Sequence, residues 1–164
     1  MTDQLTLDTN IILEYWKFQE KRSVVEKLLE LSDSGRADLV VTARIREDIQ
    51  RAPFSKRVNE LTEIGIGESG SVTRLGFWKL GRDQLADDDF VSFSTKVAEL
   101  AATSGVREPD WRDWDHLHAH YLQRRDYFLT WDKGILGIRK GLKSEFEIEV
   151  LTPDEYLDKI EDAN

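Results

Sequence analysis

The chain has no cysteine, one methionine and three prolines, and its 23 lysines and arginines are outnumbered by 32 aspartates and glutamates. Without cysteine there is no disulfide framework and no thiolate to act as nucleophile or metal ligand. No apolar run is long enough to span a bilayer. The opening Met-Thr-Asp-Gln lacks the basic-then-apolar pattern of a secretory signal. The expectation is a cytoplasmic protein with no membrane partner. A net charge of −9 also speaks against a module that grips nucleic acid through a broad basic face. A nuclease stays open, because carboxylates that hold divalent metal are themselves acidic and the bound ion reverses the local sign.

At 164 residues and 40% hydrophobic content, the chain suits one domain, residues 1–164, with a full-sized core. Leu5 to Leu7 reads as a first strand and Ile11 to about Trp16 as a helix start. Ser23 reads as the cap of a helix over Val24 to Leu31, stopped near Gly35. Leu39-Val40-Val41 is a buried-strand run. Thr42 then caps a helix that carries Ile45, Glu47, Asp48 and Ile49 and ends at Pro53. Lys56 to Glu63 is polar and helix-compatible. The glycine-rich stretch from Ile64 to Asp89 reads as a hairpin or structured loop. Asp87-Asp88-Asp89 opens a helix that stops near Gly105, and Pro109 marks a turn. Asp115 begins the next helix, and Tyr127 to Thr130 is a strand. Lys133 to Lys140 is a short helix, Phe146 to Leu151 alternates like an edge strand, and Pro153 starts a last helix. Alternating strands and helices predict an α/β fold with a central parallel sheet flanked by helices.

Four acids stand at matching places in that order: Asp8 after the first strand, Asp48 (or Glu47) in the helix after the second, Asp115 at a helix start, and Asp132 after the strand at Tyr127. In a parallel sheet these positions share one edge, where open α/β sheets bind ligands. Crowded carboxylates repel and raise one another's pKa, and hard divalent cations relieve this through oxygen ligands. With no sulfur present, Mg²⁺ or Mn²⁺ suits the set. Taken alone, Asp8-Thr9-Asn10 also reads as a helix cap, Asp48 as a surface acid and Asp115 as an N-cap. The pairing of Asp8 with Thr130-x-Asp132 late in the chain is what favours a site.

Leu7-Asp8-Thr9-Asn10-Ile11-Ile12-Leu13 resembles the opening motif of PIN domains, and Phe128-Leu129-Thr130-Trp131-Asp132 resembles their closing motif. Asp115-His116-Leu117-His118-Ala119 and Val41 to Ile49 are similar, more loosely, to the two middle motifs. The resemblance implies a PIN-like three-layer fold and a metal-dependent ribonuclease, in many small members the VapC-like toxin of a toxin–antitoxin pair. It implies that Asp8, Asp48, Asp115 and Asp132 hold Mg²⁺ or Mn²⁺ and activate water, with Asn10 and Thr130 in support. RNA is then the substrate, with an antitoxin protein and a second copy of the chain as expected partners. Glu47 competes with Asp48, and Asp113 with Asp115. A non-catalytic binding module in an RNA-processing or regulatory assembly and a phosphohydrolase acting on small substrates are the rival readings.

All three histidines lie in His116-Leu117-His118-Ala119-His120. His116 and His120 have zinc-binding spacing, but no Glu follows His116 as the zincin motif requires, so helix-face histidines near the acids are expected. The scattered tryptophans read as core or contact residues, with Trp131 inside the closing motif. Arg124-Arg125 and Arg139-Lys140 read as solvated helix surface.

Overall fold

The computed structural model describes residues 2–17, 21–49, 54–69, 72–73, 84–85, 88–106 and 111–162. Five strands form one sheet: β1 (Asp3–Leu7), β2 (Ala37–Thr42), β3 (Ile66–Ser69), β6 (Tyr127–Leu129) and β7 (Val150–Leu151). Their order is β3-β2-β1-β6-β7 and every pairing is parallel. A separate parallel pair joins β4 (Val72–Thr73) to β5 (Gln84–Leu85).

Side chains alternate across the sheet and build two cores. Leu5, Leu7, Leu39, Val41, Ile66 and Leu129 face α1 (Thr9–Lys17), α2 (Arg22–Asp33) and α7 (Pro153–Asp162). Phe128 and Val150 face the other way, toward α4 (Asp88–Ser104), α5 (Trp111–Gln123) and α6 (Lys133–Phe146). The result is three layers with apolar strands buried on both sides, as an all-parallel sheet requires. Each such side chain withdrawn from water contributes about 1.5–3 kcal/mol. The layer of α4 and α6 is tight because α6 presents glycine: a Cβ on Gly141 would fall 2.5 Å from Leu100 Cδ2.

The strand order places the site. From β1 the chain moves to β2 and β3 on one side, whereas β6 leads to β7 on the other. The crevice between the carboxyl ends of β1 and β6 is therefore the topological switch point of the sheet. Asp8 follows β1, and Thr130 and Asp132 follow β6.

Several elements differ from the sequence reading. The alternating run from Phe146 shrinks to the two-residue β7, because α6 continues to Phe146 and closes on Glu147 in the left-handed region at φ 59°. Period-two alternation over so short a span did not outweigh the helical spacing of Ile135, Ile138 and Leu142. The helix after β2 is a single turn, α3 (Ile45–Asp48), and a 3-10 turn covers Ser55–Glu60. The glycine-rich stretch contributes β3, a third parallel strand on β2. The helix read from Ser23 begins at Arg22 with Lys21 before it. Pro53, Asp87, Pro109 and most of the glycine-rich stretch lie outside the described residues. Among the described residues no helix is long and apolar enough to cross a membrane.

Candidate active site

Asp8 leaves β1 with its backbone N–H donating to Leu129 O at 3.0 Å, so the first and sixth strands fix its position jointly. Its side chain is buried, at 4% exposure. Asp8 Oδ2 accepts from Thr130 Oγ1 at 2.6 Å and from Asn10 Nδ2 at 2.7 Å. Thr130 Oγ1 accepts in turn from Asn10 Nδ2 and from the Asp132 N–H, both at 2.9 Å. That hydroxyl thus uses its one donor and both lone pairs, which locks Asp8, Asn10 and the Asp132 backbone into one unit. Asn10 Oδ1 closes the unit by accepting from the Trp131 N–H at 3.3 Å.

Asp132 caps α6: its Oδ1 accepts from Ile135 N at 2.9 Å, and its backbone is extended as an N-cap should be. Asparagine caps as well as aspartate, while alanine does not. Asp132→Ala is therefore expected to lose about 1 kcal/mol of stability, with Asp132→Asn near wild type; urea unfolding of both variants measures the difference.

The second group of acids lies across Thr9. Thr9 Oγ1 donates to Asp48 Oδ2 at 2.9 Å, and His116 Nε2 approaches the same oxygen at 2.7 Å. His116 Nδ1 meets the Thr42 hydroxyl. Burial alone would lower the His116 pKa, but the hydrogen bond and charge of Asp48, with the charges of Asp8 and Asp113, outweigh it and raise it. A protonated ring donates from both nitrogens, which matches Asp48 and Thr9 at Nε2 and Thr42 at Nδ1. Burial alone would raise Asp48; His116, the Thr9 hydroxyl and Arg44 outweigh it and hold it below the usual carboxylate range. Asp8 goes the other way: burial raises its pKa, the charges of Asp132 and Asp48 add to the rise, and His116 and Thr130 only partly offset it.

Arg44 is buried beside this group. Its Nη1 lies 2.6 Å from Glu47 Oε2 and 3.4 Å from Asp115 Oδ2, and its Nε lies 3.4 Å from Asp48 Oδ1. Asp115 is fully enclosed. It does not open a helix, as the sequence suggested: α5 starts at Trp111, and Asp115 stands in its second turn facing Arg44. Asp113, in the first turn, is half-buried. Both Glu47 and Asp48 meet Arg44, but only Asp48 also reaches Thr9 and His116.

Sequence reasoning placed Asp8, Asn10, Thr130 and Asp132 but missed Arg44, Thr9 and Thr42. The signal for Arg44 was present, since it stands three and four residues before Glu47 and Asp48, the spacing of helical ion pairs. The histidines do not share a ligand. His118 packs against Phe90 and Phe93 with centroids 5.1 and 5.0 Å away, and His120 Nδ1 meets Thr6 Oγ1 at 2.9 Å. Trp131 donates to Asp154 Oδ2 at 3.0 Å, and Lys21 lies over its ring. Arg125 is structural, with its Nη2 2.7 Å from Oδ2 of Asp38 in β2.

The donors suit a hard cation in kind, being carboxylate oxygens without sulfur. Among the described residues no three acidic or imidazole groups are arranged to hold one ion. Two carboxylates suffice for Mg²⁺, which keeps several waters and is completed by substrate phosphates. The charge of Asp132 is felt at Asp8, where it adds to the rise in pKa.

No protein-family model matches the chain, and no curated protein matches it by sequence. Solved structures do match in shape. A chain of the structure described as FitAB bound to IR36 DNA fragment is 17% identical, with a TM-score of 0.52 over 91% of this chain and 94% of its own. A chain of VapBC2 from Rickettsia felis, described as bound to a DNA fragment from their promoter, is 9% identical, with a TM-score of 0.52 over 91% of this chain and 98% of its own. At these identities it is the fold that is shared.

Proposed function

With a PIN-like α/β fold as the premise, we propose that this chain is a Mg²⁺- or Mn²⁺-dependent ribonuclease that hydrolyses RNA phosphodiester bonds. The observation that carries the reading is the Asp8–Asp132 pair at the switch point, held by Thr130 and Asn10. Asp8 and Asp132 would hold the ion. When bound, a divalent cation there lowers the pKa of an attacking water and offsets charge on the phosphate oxygens. Thr130 and Asn10 fix the direction of the Asp8 carboxylate. Asp48 is kept ionised by His116 and Arg44, which engage it on the far side of Thr9. By the same resemblance the protein acts in the cytoplasm as the toxin of a pair, with an antitoxin protein as partner. The similarity to FitAB and VapBC2 chains supports that role.

A second reading, the non-catalytic binding module, is favoured by one observation: Asp48 and Asp115 are engaged by His116 and Arg44. Incubation with a mixed pool of structured RNAs in Mn²⁺, in Mg²⁺ and in EDTA separates the two. Cleavage that needs the ion and is lost in Asp132→Asn supports the nuclease. Retention of RNA without cleavage by the folded wild type supports the module. Hydrolysis of a small phosphodiester with RNA left intact would point to the small-substrate rival.

A further inference from the structure

The acids divide into an open half, open in the sense that no cationic side chain among the described residues is seated on it, and a closed half, where one is. In the open half the partners are neutral: Asn10 and Thr130 on Asp8, and a backbone N–H on Asp132. In the closed half three carboxylates, Glu47, Asp48 and Asp115, converge on one guanidinium. The Arg44 side chain is 4% exposed and Asp115 wholly enclosed, and the guanidinium is engaged by all three acids. A guanidinium also keeps its charge at any pH the fold survives. A cation brought to Glu47 or Asp115 therefore meets a permanent positive charge already seated there.

We infer that Arg44 is a resident counter-cation, filling the place where the acid cluster would otherwise need a second divalent ion. The chain then takes a single ion, on Asp8 and Asp132, and Asp115 is the partner of Arg44 and not a metal ligand. The single-ion half of this statement rests on the metal-dependent reading above; the Arg44 half does not. Arg44 is a positioning residue: it fixes Glu47, Asp48 and Asp115 without touching the reacting atoms.

The test is thermal unfolding of the full chain in EDTA and in Mn²⁺, with bound Mn²⁺ counted by electron paramagnetic resonance. Wild type is expected to take one Mn²⁺ and to melt roughly 5–10 °C higher at about 100 times the Kd. Asp115→Asn should keep that response within about twofold in affinity, and Asp8→Asn should lose it by at least about tenfold, the effect of removing a ligand. Arg44→Gln should melt lower in EDTA, bind one Mn²⁺ more than wild type and recover more of its melting temperature on adding the ion. Two ions on wild type, an Asp115→Asn loss equal to that of Asp8→Asn, or an Arg44→Gln protein that binds no more than wild type would each overturn the inference. If wild type binds none while Arg44→Gln binds one, the counter-cation stands and the metal-dependent reading of Asp8 and Asp132 fails. If Arg44→Gln does not fold, Asp115→Asn decides, since it leaves Arg44 in place.

Discussion

Asp8→Asn is expected to abolish RNA cleavage while leaving the fold at least as stable as wild type in EDTA. The first half follows from ligand chemistry. A carboxamide is a poor ligand for a hard cation, and losing several kcal/mol of charge stabilisation corresponds to a fall in rate on the order of 10³-fold. The second half follows from burial, which raises the Asp8 pKa in the fold above its unfolded value. A carboxyl shifted upward contributes stability below its unfolded pKa and loses it as pH rises through the folded value. At neutral pH the buried Asp8 carboxyl is therefore a net cost to folding. Asparagine removes the charge, and its amide oxygen can still accept from Asn10 and Thr130. A residue kept at a cost to stability is the mark of a site shaped for function. Cleavage assays beside urea unfolding check both halves; an inactive variant that is also much less stable would make Asp8 a structural residue.

Acid should unfold this protein through His120. Burial, together with the charge of Arg125, holds the His120 pKa down at about 3, against 6.5 for a free ring. The ring sits edge-on to Phe128 and bonds Thr6. Below pH 6.5 the unfolded chain takes up a proton that the folded one refuses, so stability falls with pH. The loss grows by about 1.4 kcal/mol per pH unit and reaches about 3 kcal/mol by pH 4.5. His116 has the opposite sign: its pKa is raised in the fold, so its contribution is complete below 6.5 and fades as pH climbs through the folded value. Urea unfolding at pH 7 and 4.5, wild type against His120→Gln, isolates the first term, because the cost of the substitution itself does not depend on pH. The gap between the two proteins should shift by about 3 kcal/mol in favour of the variant. Parallel pH dependences would remove His120 from the account.

How much of this was legible in the sequence depends on whether a residue's role was local. Asp8 and Asp132 each follow a strand directly, so the break in apolar pattern announced them. Asn10 and Thr130 lie within two residues of those acids. Glu47 against Asp48 was not decidable from spacing, because the choice is made by Thr9 and His116, residues brought in from β1's end and from α5. Asp115 reads as the start of a helix because Pro109 marks a turn just before it, whereas α5 already starts at Trp111. The strand β3 went unread because Ile66-Gly67-Glu68-Ser69 carries one buried apolar side chain and acquires its role only from the neighbouring β2.

The hydroxyl of Thr130 and the carboxylate of Asp8 are 122 positions apart in the chain. Their meeting has a consequence for the order in which the protein becomes competent. The first three strands of the sheet are complete by Ser69, yet the edge that aligns Asp8 is missing until β6 is laid against β1. During synthesis the amino-terminal part thus leaves the ribosome carrying Asp8 without the strand that orients it. This edge is assembled only once Tyr127–Leu129 has been made, and a fragment stopping before Tyr127 should be inert.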